Sequence, residues 1–134
     1  MGTRSTIALE FADGTVEQVY CHWDGYLAHN GKILQNHFMD PFEVKALVSL
    51  GGFSSLKQTY GETADEAYTQ RGEELCVNKY KNADEYFDCC QQEEYDYILR
   101  NDNGVAVWFV RSYATDGVWI TLEEAFEMGE ECEE

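Results

Sequence analysis

Residues 95–121 read "YDYILRNDNGVAVWFVRSYATDGVWIT", and this stretch decides the fold class. Three runs rich in aromatic and β-branched residues are separated by the turn-forming tripeptides "DNG" and "TDG". Such runs joined by such turns are typical of antiparallel strands connected by tight hairpins. The stretch therefore predicts a three-stranded meander.

A second hairpin is predicted at the beginning of the chain. Residues 6–11 alternate so that Ile7, Leu9 and Phe11 share one face. Asp13 and Gly14 supply a turn, and "VEQVYCHW" follows as a β-rich second arm. Together with the meander, this hairpin gives a mostly antiparallel sheet of about five strands.

Helix signals occur between and after these strands. Asp40 is a good N-cap, Pro41 suits the first helical position, and Gly51-Gly52 ends the helix. Its expected buried stripe consists of Phe42, Ala46, Leu47 and Leu50. A preceding helix over 31–38 places Ile33, Leu34 and Phe38 on one side.

Three capping pairs predict further helices. Their capping residues are Thr63 with Glu66, Asn82 with Glu85, and Thr121 with Glu124. The first helix is expected to end near Gly72 and the last at Gly129, and the middle one to bury Tyr86, Phe87 and Cys90. We therefore predict one α+β domain over residues 1–134, with helices packed on one face of the sheet. Residues 130–134 are expected to be an unpacked acidic tail.

Charge is the strongest global signal. The chain carries 26 acidic residues against nine lysines and arginines, a formal net charge of −17. Residues 1–60 carry net −2 and residues 61–134 carry net −15. Such a field repels phosphate backbones, so we expect no direct nucleic-acid binding and favour a basic protein as partner. The predicted partner-binding residues are Glu85, Asp88, Glu93, Glu94, Asp96, Glu123, Glu124 and Glu127.

The cellular location of the protein is predicted from its hydropathy, its N-terminal residues and its cysteines. No run approaches the ~20 apolar residues of a membrane span, and the N-terminal residues do not resemble a secretory signal. Five cysteines without CxxC spacing suit reduced thiols in a cytosol. We expect a cytosolic protein with no membrane contact.

The segment "YCHWDGY", residues 20–26, permits two interpretations. The first is a strand-to-helix corner, in which Asp24-Gly25 turns the chain and Trp23 packs beneath the turn. The second is a contact patch or small-molecule pocket, because aromatic rings beside a carboxylate can hold a base or sugar. The residues of that patch are Tyr20, His22, Trp23, Asp24 and Tyr26.

Catalytic and metal-binding patterns are missing from the sequence. There is no GxSxG, Walker, GxGxxG or HExxH motif. Cys21 and His22 are adjacent on a strand and point to opposite faces, which argues against a thiol–base dyad or a shared metal. His29 and His37 are eight residues apart, too far for joint chelation on a helix. We therefore predict no catalytic residue, metal or cofactor, with a carboxylate-based hydrolase as a further alternative.

A resemblance supplies biological context. The opening "GTRSTIALEFADGTVEQVYCHWDGYLAHNGKIL", together with "LVSLG" and "SSL" further on, resembles a family of small, uncharacterised bacteriophage and prophage proteins. The resemblance covers about the first 50 residues and implies a phage protein acting inside a bacterial host. In size and acidity the chain is similar to phage inhibitors of restriction and CRISPR enzymes, including DNA mimics. We therefore expect a non-enzymatic inhibitor of a host nucleic-acid-handling or defence protein.

Overall fold

The computed structural model describes residues 3–90, 92–102, 104–112 and 115–128. Within them the chain forms one mixed sheet of six strands, in the order β3-β2-β1-β4-β5-β6. The strands are β1 Ser5–Glu10, β2 Val16–Cys21, β3 Asn78–Tyr80, β4 Tyr95–Asp102, β5 Val105–Ser112 and β6 Ile120–Thr121. The α-helices are α1 Lys32–His37, α2 Pro41–Val48, α3 Tyr60–Ala64, α4 Ala83–Cys89 and α5 Leu122–Met128. A π-helical turn, Leu27–Gly31, precedes α1, and a 3-10 turn, Tyr68–Arg71, follows α3.

The α+β class and both predicted hairpins are confirmed. β1 pairs antiparallel with β2 around the turn at Gly14, whose φ is +92°, and Asp13 accepts the Thr15 N–H there at 3.0 Å. β4 pairs antiparallel with β5, and β5 with the short β6. The sheet is mostly antiparallel, as expected, but it is mixed and has six strands rather than about five, because β1 and β4 are parallel neighbours and β3 adds an edge strand.

The connection from β3 to β4 accounts for a helix on the second face of the sheet. β3 and β4 run in the same direction with two strands between them, so the chain must cross the sheet through α4. One face carries Ile7, Leu9 and Trp108 and packs against α1, α2 and α5. The opposite face carries Ala8 and Ile98 and packs against Tyr86 of α4. The prediction of helices on one face is therefore wrong for α4.

Local capping chemistry fixes the helix starts as expected in three of four cases. Asp40 accepts the Phe42 N–H at 3.0 Å, and Asn82 accepts the Glu85 N–H at 2.8 Å. At α5, Thr121 and Glu124 accept each other's N–H at 3.1 Å, while Gly129 lies outside the described residues.

The fourth capping pair is displaced by one turn. Thr59 caps α3 by accepting the Glu62 N–H at 3.2 Å, whereas Thr63 is buried and donates its hydroxyl to the Thr59 carbonyl. The following 3-10 turn does end at Gly72, with φ +84°. The predicted stop therefore holds, although Thr63 and Glu66 are not the cap.

The buried stripe of α2 also differs from the prediction. Val44, Leu47 and Val48 face the core at helical spacing, whereas the Phe42 side chain is 82% exposed. Ala46 and Leu50 are partly buried.

Candidate functional site

The corner after β2 is confirmed by backbone geometry. Asp24 adopts a positive φ of +57°, and the following Gly25 donates its N–H to the Thr3 carbonyl at 2.8 Å. A Cβ at Gly25 would lie 2.6 Å from the Ser5 Cβ, so no other residue fits without movement. Tyr97 donates its hydroxyl to the Gly25 carbonyl at 2.6 Å. "CHWDGY" is therefore a strand-to-helix corner in its backbone.

Trp23 does not pack beneath this corner, and that prediction is wrong. Its side chain is 41% exposed, and its backbone is held by two bonds: the N–H donates to the Ser54 carbonyl at 2.8 Å, and the carbonyl accepts from the Cys21 thiol at 3.7 Å. The indole instead meets the His22 ring edge-on, with centroids 4.6 Å apart. The buried Tyr97, whose hydroxyl bonds the Gly25 carbonyl, lies at the corner instead, and the indole is at the surface.

An aromatic row extends from Trp23 along one side of the molecule. We use this name for the rings of Trp23, His22, Tyr20 and Tyr68. The Tyr20 hydroxyl bonds the His22 Nδ1 at 2.8 Å, and the Tyr20 and Tyr68 rings stack with centroids 6.5 Å apart. Arg71 closes the row, its guanidinium 4.7 Å from the Tyr68 ring centroid. Tyr20 and His22 share a face through strand alternation, whereas no sequence signal pointed to Tyr68.

A cavity of about 400 Å³ opens beside Tyr20 and Tyr68, and we call it the tyrosine cleft. Burial raises the pKa of both tyrosines, so their hydroxyls stay protonated at neutral pH and can donate hydrogen bonds. Of the five predicted patch residues only Tyr20 lines this cleft, since Asp24 forms the turn and Tyr26 packs against the core beside His29. The cleft is lined by Arg4, Tyr20, Gly51, Tyr68, Cys76, Asn78 and Glu93.

Cys21 is a structural thiol. Its side chain is fully buried, and burial raises its pKa to about 11, so it carries almost no thiolate at neutral pH. The buried Asn30 amide donates to its sulfur at 3.5 Å and to the Ser5 hydroxyl at 3.1 Å. His22 bonds Tyr20 rather than this thiol. Within the described ranges, no three His, Cys, Asp or Glu side chains are grouped to hold a metal.

Asp96 was predicted to bind a partner, but it lies inside the protein. Its side chain is buried under α4, where it accepts the Thr6 hydroxyl at 2.6 Å and an Arg111 N–H at 3.0 Å. Burial raises the pKa of Asp96, while the bonds from Thr6 and Arg111 act in the opposite direction. Strand alternation places residue 96 on the face that α4 covers, so its carboxylate cannot reach a partner.

The other predicted acids divide between the two faces of the sheet. Glu85 and Glu124 serve their own helix starts, accepting the Lys81 and Thr121 N–H groups. Glu123 and Glu127 are exposed on α5, on the face opposite α4. Glu93 is half-buried and lines the tyrosine cleft. The eight acids therefore do not form one surface.

A smaller exposed set lies on α4 and on the segment that leads into β4. We call Asp84, Asp88 and Glu94 the α4 acidic group; all three side chains are exposed. Asp84 was not among the predicted partner-binding residues, although its place in the first turn of the helix marks it as a surface acid. Among the described side chains, none of the three takes part in an ion pair.

The arginines near these acids are already paired within the protein. Arg111 bonds Asp96 and lies 4.7 Å from the Trp119 ring centroid, and Arg100 bonds Glu10 at 3.0 Å. Arg71 contacts Glu73 at 3.4 Å. The three arginines of the acidic half therefore pair with carboxylates other than those of the α4 acidic group.

Comparison with known proteins adds no identification. No family model, curated protein or solved structure gives a significant match to the chain. Among the described residues, no helix is both long enough and apolar enough to cross a membrane.

Proposed function

We propose that this protein is a non-enzymatic, phage-encoded inhibitor that binds a basic host protein of nucleic-acid handling or defence in the bacterial cytoplasm. The observation that carries the proposal is the placement of α4. The helix buries Tyr86 against the sheet and turns Asp84 and Asp88 to the solvent. Its charge is therefore available to a partner.

Electrostatics supports a basic surface as the target. Residues 61–134 carry net −15, far beyond what solubility needs, and such a field accelerates encounter with a cationic surface. Surfaces that bind nucleic acid are lined with lysine and arginine, so carboxylates can occupy the places of phosphates. The α4 acidic group is exposed and gains most from such an encounter.

Neutralising the α4 acidic group should weaken partner binding without unfolding the protein. The variant is Asp84→Asn/Asp88→Asn/Glu94→Gln; it leaves the capping residue Glu85 intact, and the amide oxygen of Gln can still accept the Arg4 N–H that Glu94 accepts at 2.8 Å. We expect the wild type to capture a basic nucleic-acid-binding protein from bacterial lysate at low salt, and the variant to bind it about tenfold or more weakly. Exposed substitutions change stability by only ~0.5 kcal/mol each, which circular dichroism melts would verify.

The matched control removes the same charge elsewhere. Glu74→Gln/Glu123→Gln/Glu127→Gln alters three exposed acids outside the α4 acidic group. We expect it to retain most of the affinity. Equal losses in the two variants would show that total charge, and not α4, drives binding. A captured partner whose affinity does not fall with salt would contradict the electrostatic proposal.

A second candidate function is ligand binding in the tyrosine cleft. The stacked rings of Tyr20 and Tyr68 lie beside a cavity of a size typical for small-molecule sites. Arg4 and Arg71 are the cations nearest to these rings, and Glu93 can accept a hydrogen bond from a base or sugar. A planar ligand such as a nucleoside or nucleoside monophosphate fits this chemistry.

Thermal-shift measurements separate this candidate from the first. A nucleoside monophosphate at 100 times its dissociation constant should stabilise the fold by about 2.7 kcal/mol. Tyr68→Leu should abolish the shift because it removes the stacking ring, while Tyr60→Leu, an exposed tyrosine outside the cleft, should preserve it. If no nucleoside or nucleotide raises the melting temperature of the wild type, ligand binding at the cleft is excluded.

A further inference from the structure

A cavity of about 430 Å³ lies on a different part of the surface from the tyrosine cleft. One wall is the helical segment that joins the π-helical turn to α1, and the other is the segment 56–62 that leads into α3. Ala28, Ile33 and the buried Leu56 supply an apolar lining. The site therefore has the size and the partly apolar walls of a small-molecule pocket.

The charge of this cavity is opposite to that of the protein. Lys32 and Lys57 line it together with His29 and His37, so two of nine lysines and arginines and two of three histidines meet there. Glu62 is the one acid in the lining, and it accepts the Thr59 hydroxyl at 3.2 Å. A cationic cavity in a chain of net charge −17 is suited to an anion.

His29 is held by a buried residue behind it. The Asn30 amide nitrogen donates to Ser5 and Cys21, so its Oδ1 is the atom that faces the His29 Nδ1 at 2.9 Å. Because an amide oxygen only accepts, this contact places a proton on Nδ1 of His29. In this tautomer Nε2 carries the lone pair and accepts a hydrogen bond, so it can hold an O–H or N–H of a ligand, and the ring orientation is fixed by a fully buried side chain. This arrangement also gives the buried Asn30 a role beyond the corner.

We propose that this cavity binds a small organic anion, with a carboxylate or phosphate head between Lys32 and Lys57 and an apolar body against Leu56 and Ile33. Asn36 and Gln58 supply neutral hydrogen-bonding groups in the same lining. The site is independent of the proposed partner surface, because none of its residues belongs to the α4 acidic group.

Calorimetric titration tests the site with defined probes: phenyl phosphate, benzoate, inorganic phosphate and benzyl alcohol. We expect the two aromatic anions to bind, and inorganic phosphate and the neutral alcohol to bind about tenfold or more weakly. The relative affinities of phenyl phosphate and benzoate identify the preferred head group. Amide chemical shifts should move at residues 28–37 and 56–62 rather than elsewhere.

Matched lysine variants make the test specific. Lys32→Gln/Lys57→Gln should lower phenyl phosphate affinity about tenfold or more, since charge-assisted hydrogen bonds are lost, while Lys81→Gln should leave it unchanged. All three lysines are exposed, so the variants should melt like the wild type. The proposal would be overturned if the double variant bound phenyl phosphate as tightly as the wild type does. It would also be overturned if neither aromatic anion gave measurable binding in the calorimetric titration.

Discussion

Replacing Trp108 by alanine is expected to remove a large part of the stability of the fold. Trp108 is 1% exposed on β5, and its indole N–H donates to the Phe38 carbonyl at 2.9 Å. Truncating a buried tryptophan costs about 3–5 kcal/mol, against a total stability of about 5–15 kcal/mol for a domain. The free energy of unfolding, measured in urea by far-UV circular dichroism, should fall by that amount.

Trp23→Ala is the matched control for this experiment. The same substitution is made at a tryptophan that is 41% exposed and holds its neighbours only through its backbone and a ring edge. We expect a loss of about 1 kcal/mol or less. A Trp23→Ala variant as unstable as Trp108→Ala would mean that the indole packs beneath the corner after all.

Arg111→Met is expected to have the second large effect. The substitution leaves the Asp96 carboxylate buried under α4 with no cation beside it. Breaking a buried ion pair in this way costs about 3–5 kcal/mol, which urea unfolding would measure. Cys90 also loses a contact, since an Arg111 N–H lies 3.5 Å from its sulfur.

Two further variants distinguish the buried pair from ordinary charge loss. Arg111→Met/Asp96→Leu removes both charges and should recover much of the lost stability, because apolar replacements of buried pairs are often neutral. Arg100→Met breaks the more exposed pair with Glu10 and should cost about 1 kcal/mol or less. If Arg111→Met lowers the free energy of unfolding as little as Arg100→Met does, Asp96 is not buried and paired with Arg111.

The elements that local chemistry determines were predictable from the sequence. Turn residues placed both hairpins, and Asp40, Asn82 and Thr121 marked three helix starts, because a cap acts within three or four residues. Short β3 could not be predicted in the same way. Its three residues have no strand pattern of their own and depend on pairing with β2.

The errors concern contacts between distant parts of the chain. The parallel pairing of β1 with β4 joins residues about 90 positions apart, and the chain reaches β4 by crossing the sheet through α4, which packs on the second face. That crossing buries Asp96, which by sequence is one acid among many. Likewise, Trp23 was expected to pack beneath the Asp24-Gly25 turn, but its side chain is 41% exposed, and the buried Tyr97, from a strand far along the chain, bonds the Gly25 carbonyl there.

In the candidate sites too, features that depend on neighbouring residues were predictable, and features that depend on distant contacts were not. Alternation along β2 correctly separated Cys21 from His22, and it put Tyr20 and His22 on one side. Tyr68 and Arg71 join that side only through the folded loop after α3, so the aromatic row could not be seen in the sequence. The spacing of His29 and His37 was weighed only for joint metal chelation, and it did not indicate that both would line one cavity with Lys32 and Lys57.

Competition on the captured partner tests most directly whether this protein occupies a basic nucleic-acid-binding surface. The partner is bound to the immobilised wild-type protein, and the oligonucleotide that the partner recognises is titrated in. The oligonucleotide should release the partner, at concentrations set by the partner's own affinity for that oligonucleotide. The reason is that the α4 acidic group and the phosphates would contact the same cations. A ternary complex that persists at saturating oligonucleotide would contradict the proposal.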